Sequence, residues 1–333
     1  MSDSATTDGI TANPPAWRSG GRFAGLIGES RWLALGLAVL AVATLNPHFR
    51  SFDNFESFLQ SIGVLLIAAM GQSFVLLIAG IDLSVGAAVA MGSVVLAVLL
   101  AAGWPLYAAI AATLLSGLAI GVLSGASTLY LRIPSFIVTF AFMGIAYAIG
   151  LTVADGNRIP IAANTGLGWL VSGSLLGISP QVWLALGLLV AGTWFLRHSR
   201  TGRHLYAVGG NPEAARLSGV PVGRVTIAAF GLSGLFAGIA AVVYAARIVS
   251  GNPIGASNLN LEAIAAAVIG GVSLFGGRGT LIGAAFGAIL YSLIANVLNI
   301  YNVNPNITEI AAGCIVVLAG LINVLTERRR VAA

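Results

Sequence analysis

The chain has no lysine: all 16 of its basic residues are arginine. That absence excludes a phosphate-loop lysine, a Schiff base and any lysine-based proton transfer. The single cysteine, Cys314, lies in an apolar run. It has no partner for an internal disulfide and reads as a small packing residue. The histidines, His48, His198 and His204, are scattered and show no metal-ligand spacing. Charge of either sign is scarce. Charged residues are 8% of the chain, against about 25% in a soluble domain.

What is present is apolar: 58% of residues are hydrophobic, with a mean hydropathy of +0.95. This composition predicts an all-α polytopic membrane protein. The 333 residues could supply about ten spans at ~20 residues each, with loops between them. The formal charge of +5 is no nucleic-acid footprint, because the arginines gather at span ends.

Residues 1–30 are polar and irregular and read as a disordered cytoplasmic tail, not a signal peptide. Residues 31–326 read as the membrane domain and 327–333 as a cytoplasmic C-terminal tail. Within that domain the apolar runs predict spans at about 32–46, 62–80, 85–102, 105–130, 136–153, 180–196, 225–246, 260–275, 280–299 and 308–325. A short amphipathic piece, with Phe52, Phe55 and Leu59 on one face, is expected to lie along the interface before the second span. A second interfacial or re-entrant helix is expected at 165–178. Gly117, Gly121 and Gly125 form a small-residue face for close helix contact. Spans two, three and eight are the least secure of the ten, since glycine-rich broken helices need not cross fully.

The arginines test this map. With both termini inside, the inner set is Arg18, Arg22, Arg31, Arg132, Arg197, Arg200, Arg203, Arg216, Arg224, Arg278 and Arg328 to Arg330, which is 13 of 16. The bias fits an even number of crossings and an inner N-terminus.

The longest interruption of the apolar pattern runs from Arg197 to Arg224 and is basic. It reads as a cytoplasmic loop holding one short helix with clear ends. Asn211 is an N-cap, Pro212 stands at N1, and Glu213 complements the helix dipole. Gly219 supplies a left-handed C′ position and Pro221 stops continuation. Two turns of helix do not stand alone in water. The helix is either a surface feature of the loop or a docking element for a partner.

Intramembrane acids are few. Asp82, in Gly80-Ile81-Asp82-Leu83-Ser84-Val85-Gly86, has two readings. Either Asp82 or Ser84 caps the start of span three, or Asp82 lines a solute path. Glu262 is either a first-turn acid or a gate residue. Asn306 to Glu309 resembles a capping box, so Glu309 reads as structural. Asp155, Asn157 and Arg158 are an exposed loop or part of an external docking surface. No Ser/His/Asp set, paired-carboxylate site or phosphate loop appears, and Gly209-Gly210 and Gly276-Gly277-Arg278-Gly279 are too weak to be nucleotide sites. A solute passage whose energy enters from a partner fits better than an enzyme.

Several blocks together resemble the permease subunits of bacterial ABC sugar importers of the ribose, xylose and galactofuranose type. They are Gly71-Gln72, the Gly80–Gly86 block, Gly202-Arg203, Gly209–Gly219, Glu262-Ala263-Ile264-Ala265-Ala266, and Gly270–Gly279. The resemblance implies a pathway built by two permease subunits, as a homo- or heterodimer in the inner membrane. It also implies a cytoplasmic ATP-binding protein and a periplasmic or lipoprotein sugar-binding protein, with no cofactor on this chain. It makes Asn211, Pro212, Glu213, Ala214, Ala215, Arg216, Leu217, Ser218 and Gly219 the helix coupled to the ATPase. Asp82, Ser84 and Glu262 are then candidates for the path or gate. The family commonly has Asp where Glu262 stands. The alternatives are an autonomous carrier or channel, or the same importer class with an amino acid, nucleoside or polyol as solute.

Overall fold

The computed structural model describes residues 44–304 continuously, with further positions between 36 and 41 and between 307 and 321. The expected tails at 1–30 and 327–333, part of span one, most of span ten, and the Asn306–Glu309 pair lie outside the described residues. Cys314 is described, and it is exposed, facing away from the chain's interior rather than packed within it.

The described chain is helical, and the expected spans two to nine coincide with apolar helices. They are α1 (Phe52–Leu77), α2 (Val85–Ala101), α3 (Leu106–Leu131), α4 (Ser135–Val153), α6 (Pro180–His198), α9 (Val222–Ile248), α10 (Leu259–Ile269) and α11 (Leu281–Ile300). Between them lie a one-turn helix, α5 (Trp169–Ser172), and two polar helices, α7 (Arg200–Gly210) and α8 (Pro212–Leu217). Five of the described helices are long and apolar enough to cross a membrane, or six when the bent pair α6–α7 counts as one span. The protein is a multi-pass membrane protein.

Three readings change. The interfacial piece at 52–59 is not separate: it is the first two turns of α1, capped by Ser51, whose side chain accepts from the Asn54 N–H. Nothing between Phe52 and Ile62 breaks a helix, so the apolar run simply extends. The basic stretch after Arg197 is not a loop either. It turns by 73° and continues as α7, because the Ser199 hydroxyl accepts from Gly202 N at 2.8 Å and starts a new helix. At 165–178 only the single turn α5 and a bridge between Leu175 and Ile178 form, since Gly166, Gly173 and Gly177 punctuate the run.

Burial follows composition. Helix α2 is apolar all round and most of its residues are buried, as a central helix requires. It packs between α3, α4 and α9. Its 17 residues reach about 26 Å, short of the ~30 Å hydrocarbon core. Helix α10, with 11 residues, reaches about half the core. The segments that follow α4 and α9 are tied by a two-residue antiparallel ladder, β1 (Ile159–Pro160) with β2 (Ser250–Gly251). No periodicity marks strands this short.

Helix α3 meets α9 backbone to backbone. A Cβ on Gly117 would strike Gly234 O and Gly238 N; one on Gly121 would strike Phe230 O. Gly234 in turn abuts Gly117 O. The small-residue face thus seats one helix in the groove of the other. We expect Gly121→Val to force α3 from α9, costing about 1–3 kcal/mol or more, seen as a lower apparent Tm and folded yield in detergent. Gly144→Ala, with nothing within 4 Å of the added carbon, should leave both unchanged.

Candidate functional site

Helix α1 ends in a left-handed turn. Gly80 N donates to Val75 O at 3.0 Å and Ala79 N to Leu76 O at 2.9 Å, with Ala79 at φ 60°. The chain then runs through Ile81, Asp82 and Leu83 without helix or strand before α2 begins. A non-helical segment inside a membrane protein must find partners for its backbone from outside itself. Here side chains of three helices supply them, and a fourth helix pairs the Asp82 carboxylate.

From α1, the fully buried Gln72 amide clasps the Asp82 backbone: its nitrogen donates to Asp82 O (3.1 Å) and its oxygen accepts from Asp82 N (3.3 Å). From α4, Ser135 Oγ accepts from Ile81 N and Thr139 Oγ1 accepts from Leu83 N, each at 3.1 Å. From α10, Asn260 Nδ2 donates to Leu83 O at 3.3 Å. From α9, Ser233 Oγ donates to Asp82 Oδ2 at 2.8 Å.

The Asp82 carboxylate is only 1% exposed. Its Oδ1 accepts from Ser84 N (2.9 Å) and from Ser84 Oγ (2.6 Å). Asp82 therefore caps the start of α2, while Ser84 caps nothing and donates back to the acid. Ser233 lies about 16 Å along α9 from Val222, at ~1.5 Å per residue, so the carboxylate is held well inside the bundle.

The first turns of α2 and α10 meet beside this segment. A Cβ on Gly86 would press on Ala256 O and Asn260 N. Glu262 lies one turn into α10 and is half-buried. Asp82 and Ser84 are brought together by the bonds between them.

The other feature lies at one end of the bundle. Asn211 Oδ1 accepts from Glu213 N and Ala214 N, both at 3.0 Å, and so caps α8. The far end closes with Val220 N on Ala215 O and Gly219 N on Arg216 O, Gly219 standing at φ 81°. Glu213 and Arg216 pair at 3.5 Å across one turn, both largely exposed, a contact that fixes shape more than it stabilises. Ala215 alone is buried; Pro212, Glu213, Ala214, Arg216, Leu217, Ser218 and Gly219 face outward, with Leu217 82% exposed.

Helix α7 connects the two features. A Cβ on Gly209 would overlap Leu77 O and Gly277 N, and Gly277 N itself donates to Leu77 O at 2.8 Å. Tyr206 Oη donates to Gly279 O at 2.9 Å. The two glycine motifs thus form one backbone junction with the last turn of α1, which explains them without any nucleotide. That junction was hidden in the sequence because its members stand far apart along the chain.

A family model described as branched-chain amino acid transport system / permease component matches residues 54–320. The chain belongs to this permease family. The permease is 34% identical over 306 residues to the ribose import permease protein of Escherichia coli strain K12, covering 90% of this chain and 94% of that one. It is 33% identical over 295 residues to the ribose import permease protein of Bacillus subtilis, covering 88% and 91%. It is 34% identical over 305 residues to the autoinducer 2 import system permease protein of Yersinia pseudotuberculosis, covering 88% and 86%. No solved structure matches.

Gln72, Ser135, Thr139, Ser233 and Asn260 were not singled out as site residues in the sequence. Only Gln72 carried a local signal, its place beside Gly71 in a family block. In this permease, Asp82→Ala strands the Ser84 N–H and the Ser233 hydroxyl. We expect a loss of about 3 kcal/mol or more, read as a fall in apparent Tm. Asp82→Asn, which keeps an acceptor for Ser84 N, should lose less.

Proposed function

We propose that this permease is the membrane-spanning subunit of an ATP-driven importer that carries a monosaccharide, a pentose or hexose, across the inner membrane. The observation that carries this reading is the match to the Escherichia coli ribose import permease, which runs over 94% of that protein's length at 34% identity. The family description names branched-chain amino acids. The relatives named for ribose, from both Escherichia coli and Bacillus subtilis, favour a sugar.

In this reading about ten crossing or partly crossing segments form each subunit, both termini face the cytoplasm, and two copies or two related chains build the pathway. The chain hydrolyses no ATP itself. A cytoplasmic ATP-binding protein receives Asn211–Gly219, and a periplasmic or lipoprotein binding protein delivers the solute. Helix α8 suits that docking role on three counts. Both its ends are internally satisfied, so little ordering is left to do on binding. It presents Leu217 as an apolar anchor ringed by Glu213 and Arg216. It hangs from α7, whose Gly209 bears directly on the end of α1. Movement of an ATPase would therefore reach the non-helical segment at Asp82 through rigid backbone contact.

The test is reconstitution with the ATPase and binding protein. Glu213→Arg or Gly219→Val should lower solute-stimulated ATP hydrolysis by about tenfold, the loss of one interface anchor worth ~1.4 kcal/mol, with membrane insertion unchanged. Leu217→Cys in a Cys314→Ser background should label from the cytoplasmic side only. Labelling from the outer side, or full coupling in both variants, would overturn the assignment.

A further inference from the structure

Two polar atoms close to the Asp82 segment and to α4 are shut off from solvent and have no hydrogen-bond partner. One is Asn260 Oδ1, on a residue only 7% exposed at the start of α10. The other is the Tyr147 hydroxyl on α4. Met143 of α4 approaches Asn260, its sulfur 3.8 Å from Asn260 Nδ2, and Tyr147 follows it by one helical turn on the same helix face. Thr139, one turn further back on that face, holds Leu83 in the non-helical segment. Tyr147 also lies within electrostatic reach of Tyr244 on α9, which bonds Asn252 and has Arg158 and Arg247 nearby. The α4 face at 139, 143 and 147 therefore runs from the Asp82 segment toward the end of the bundle where α9 finishes.

A buried acceptor and a buried hydroxyl left unpaired each cost free energy, which folding alone gives no reason to accept. Methionine is the side chain that vacates such a position most readily, being unbranched with a flexible thioether. We propose that Asn260 and Tyr147 form a contact site for the hydroxyl groups of a neutral polyhydroxylated solute, occluded here by Met143. The site rests on the sugar-importer reading above. Asn260 Oδ1 accepts a solute hydroxyl, and the Tyr147 hydroxyl donates to or accepts from another. The first turn of α10 adds a favourable dipole for the acceptor oxygens of the solute. Asn260 also bonds Leu83 O, so occupancy of the site is felt directly by the segment that Asp82 holds.

The decisive variant is Tyr147→Phe. Its hydroxyl has no protein partner, so removing it should leave the apparent Tm unchanged or slightly raised. If the hydroxyl serves only the fold, transport is also unchanged. If it contacts solute, the number of sugar molecules moved per ATP hydrolysed falls by about fivefold, the worth of one neutral hydrogen bond. The assay uses the complete transporter in proteoliposomes with a panel of radiolabelled aldopentoses and aldohexoses, recording uptake and ATP hydrolysis together. Asn260→Leu should lower the same ratio, with some loss of stability from the broken Leu83 contact. Met143→Ala, which removes the occluding thioether, should raise uptake of larger sugars relative to smaller ones. Wild-type uptake of a sugar with an unaltered ratio in Tyr147→Phe overturns the site and leaves the importer reading standing. Wild-type failure to move any sugar in the panel overturns both.

Discussion

The fold turns on one constraint: a stretch of backbone inside a membrane protein without helical hydrogen bonds must be paired by something else. Ile81, Asp82 and Leu83 are that stretch. Gln72, Ser135, Thr139 and Asn260 pair their N–H and C=O groups, and Ser233 pairs the Asp82 carboxylate. These five side chains come from four helices, so the segment can exist only where α1, α4, α9 and α10 converge. Asp82 completes the arrangement by capping α2, the helix that follows. A side-chain cage of this kind is rigid while every partner is in register and loosens when one helix shifts. In the proposed importer, such a segment would join the energy source to the solute path.

Glycine provides the second half of the design. Backbone contact between α3 and α9, and between Gly209, Leu77 and Gly277, leaves no soft side chain to absorb displacement. Close-packed contacts transmit a push where a flexible one would dissipate it. Helix α8 is the exposed end of that linkage and the Asp82 segment is close to its inner end. Dispersion and shape, more than charge, hold the linkage together, in keeping with a chain that carries so few charged residues.

The sequence made the class legible at once. Apolar runs, scarce charge and arginines kept to the ends of apolar runs each follow from the cost of placing polar groups in hydrocarbon, and that cost acts on local sequence. The apolar runs from 62 to 299 were readable as helices for the same reason. So was α8, because Asn211, Pro212, Glu213 and Gly219 are short-range capping signals. Less visible was the continuation of Arg200–Gly210 as a helix, where basic composition concealed an amphipathic pattern started by Ser199. The two-residue ladder at Ile159–Pro160 was invisible, since its partner lies ninety residues away and no period can show in two residues.

Asp82 shows where the boundary falls. Its sequence position allowed capping or a place on a path, and no local rule chooses between them. Capping became visible only when Ser84 N and Ser233 Oγ were seen on its two oxygens. Secondary structure, membrane class and the short capped helix are set by neighbours along the chain, within a few residues. Which side chains satisfy the broken segment, and which glycines touch, depends on residues tens to hundreds of positions apart. Only tertiary structure decides those, because hydrogen bonds and van der Waals contacts reach a few ångströms in space and carry no record of distance along the chain.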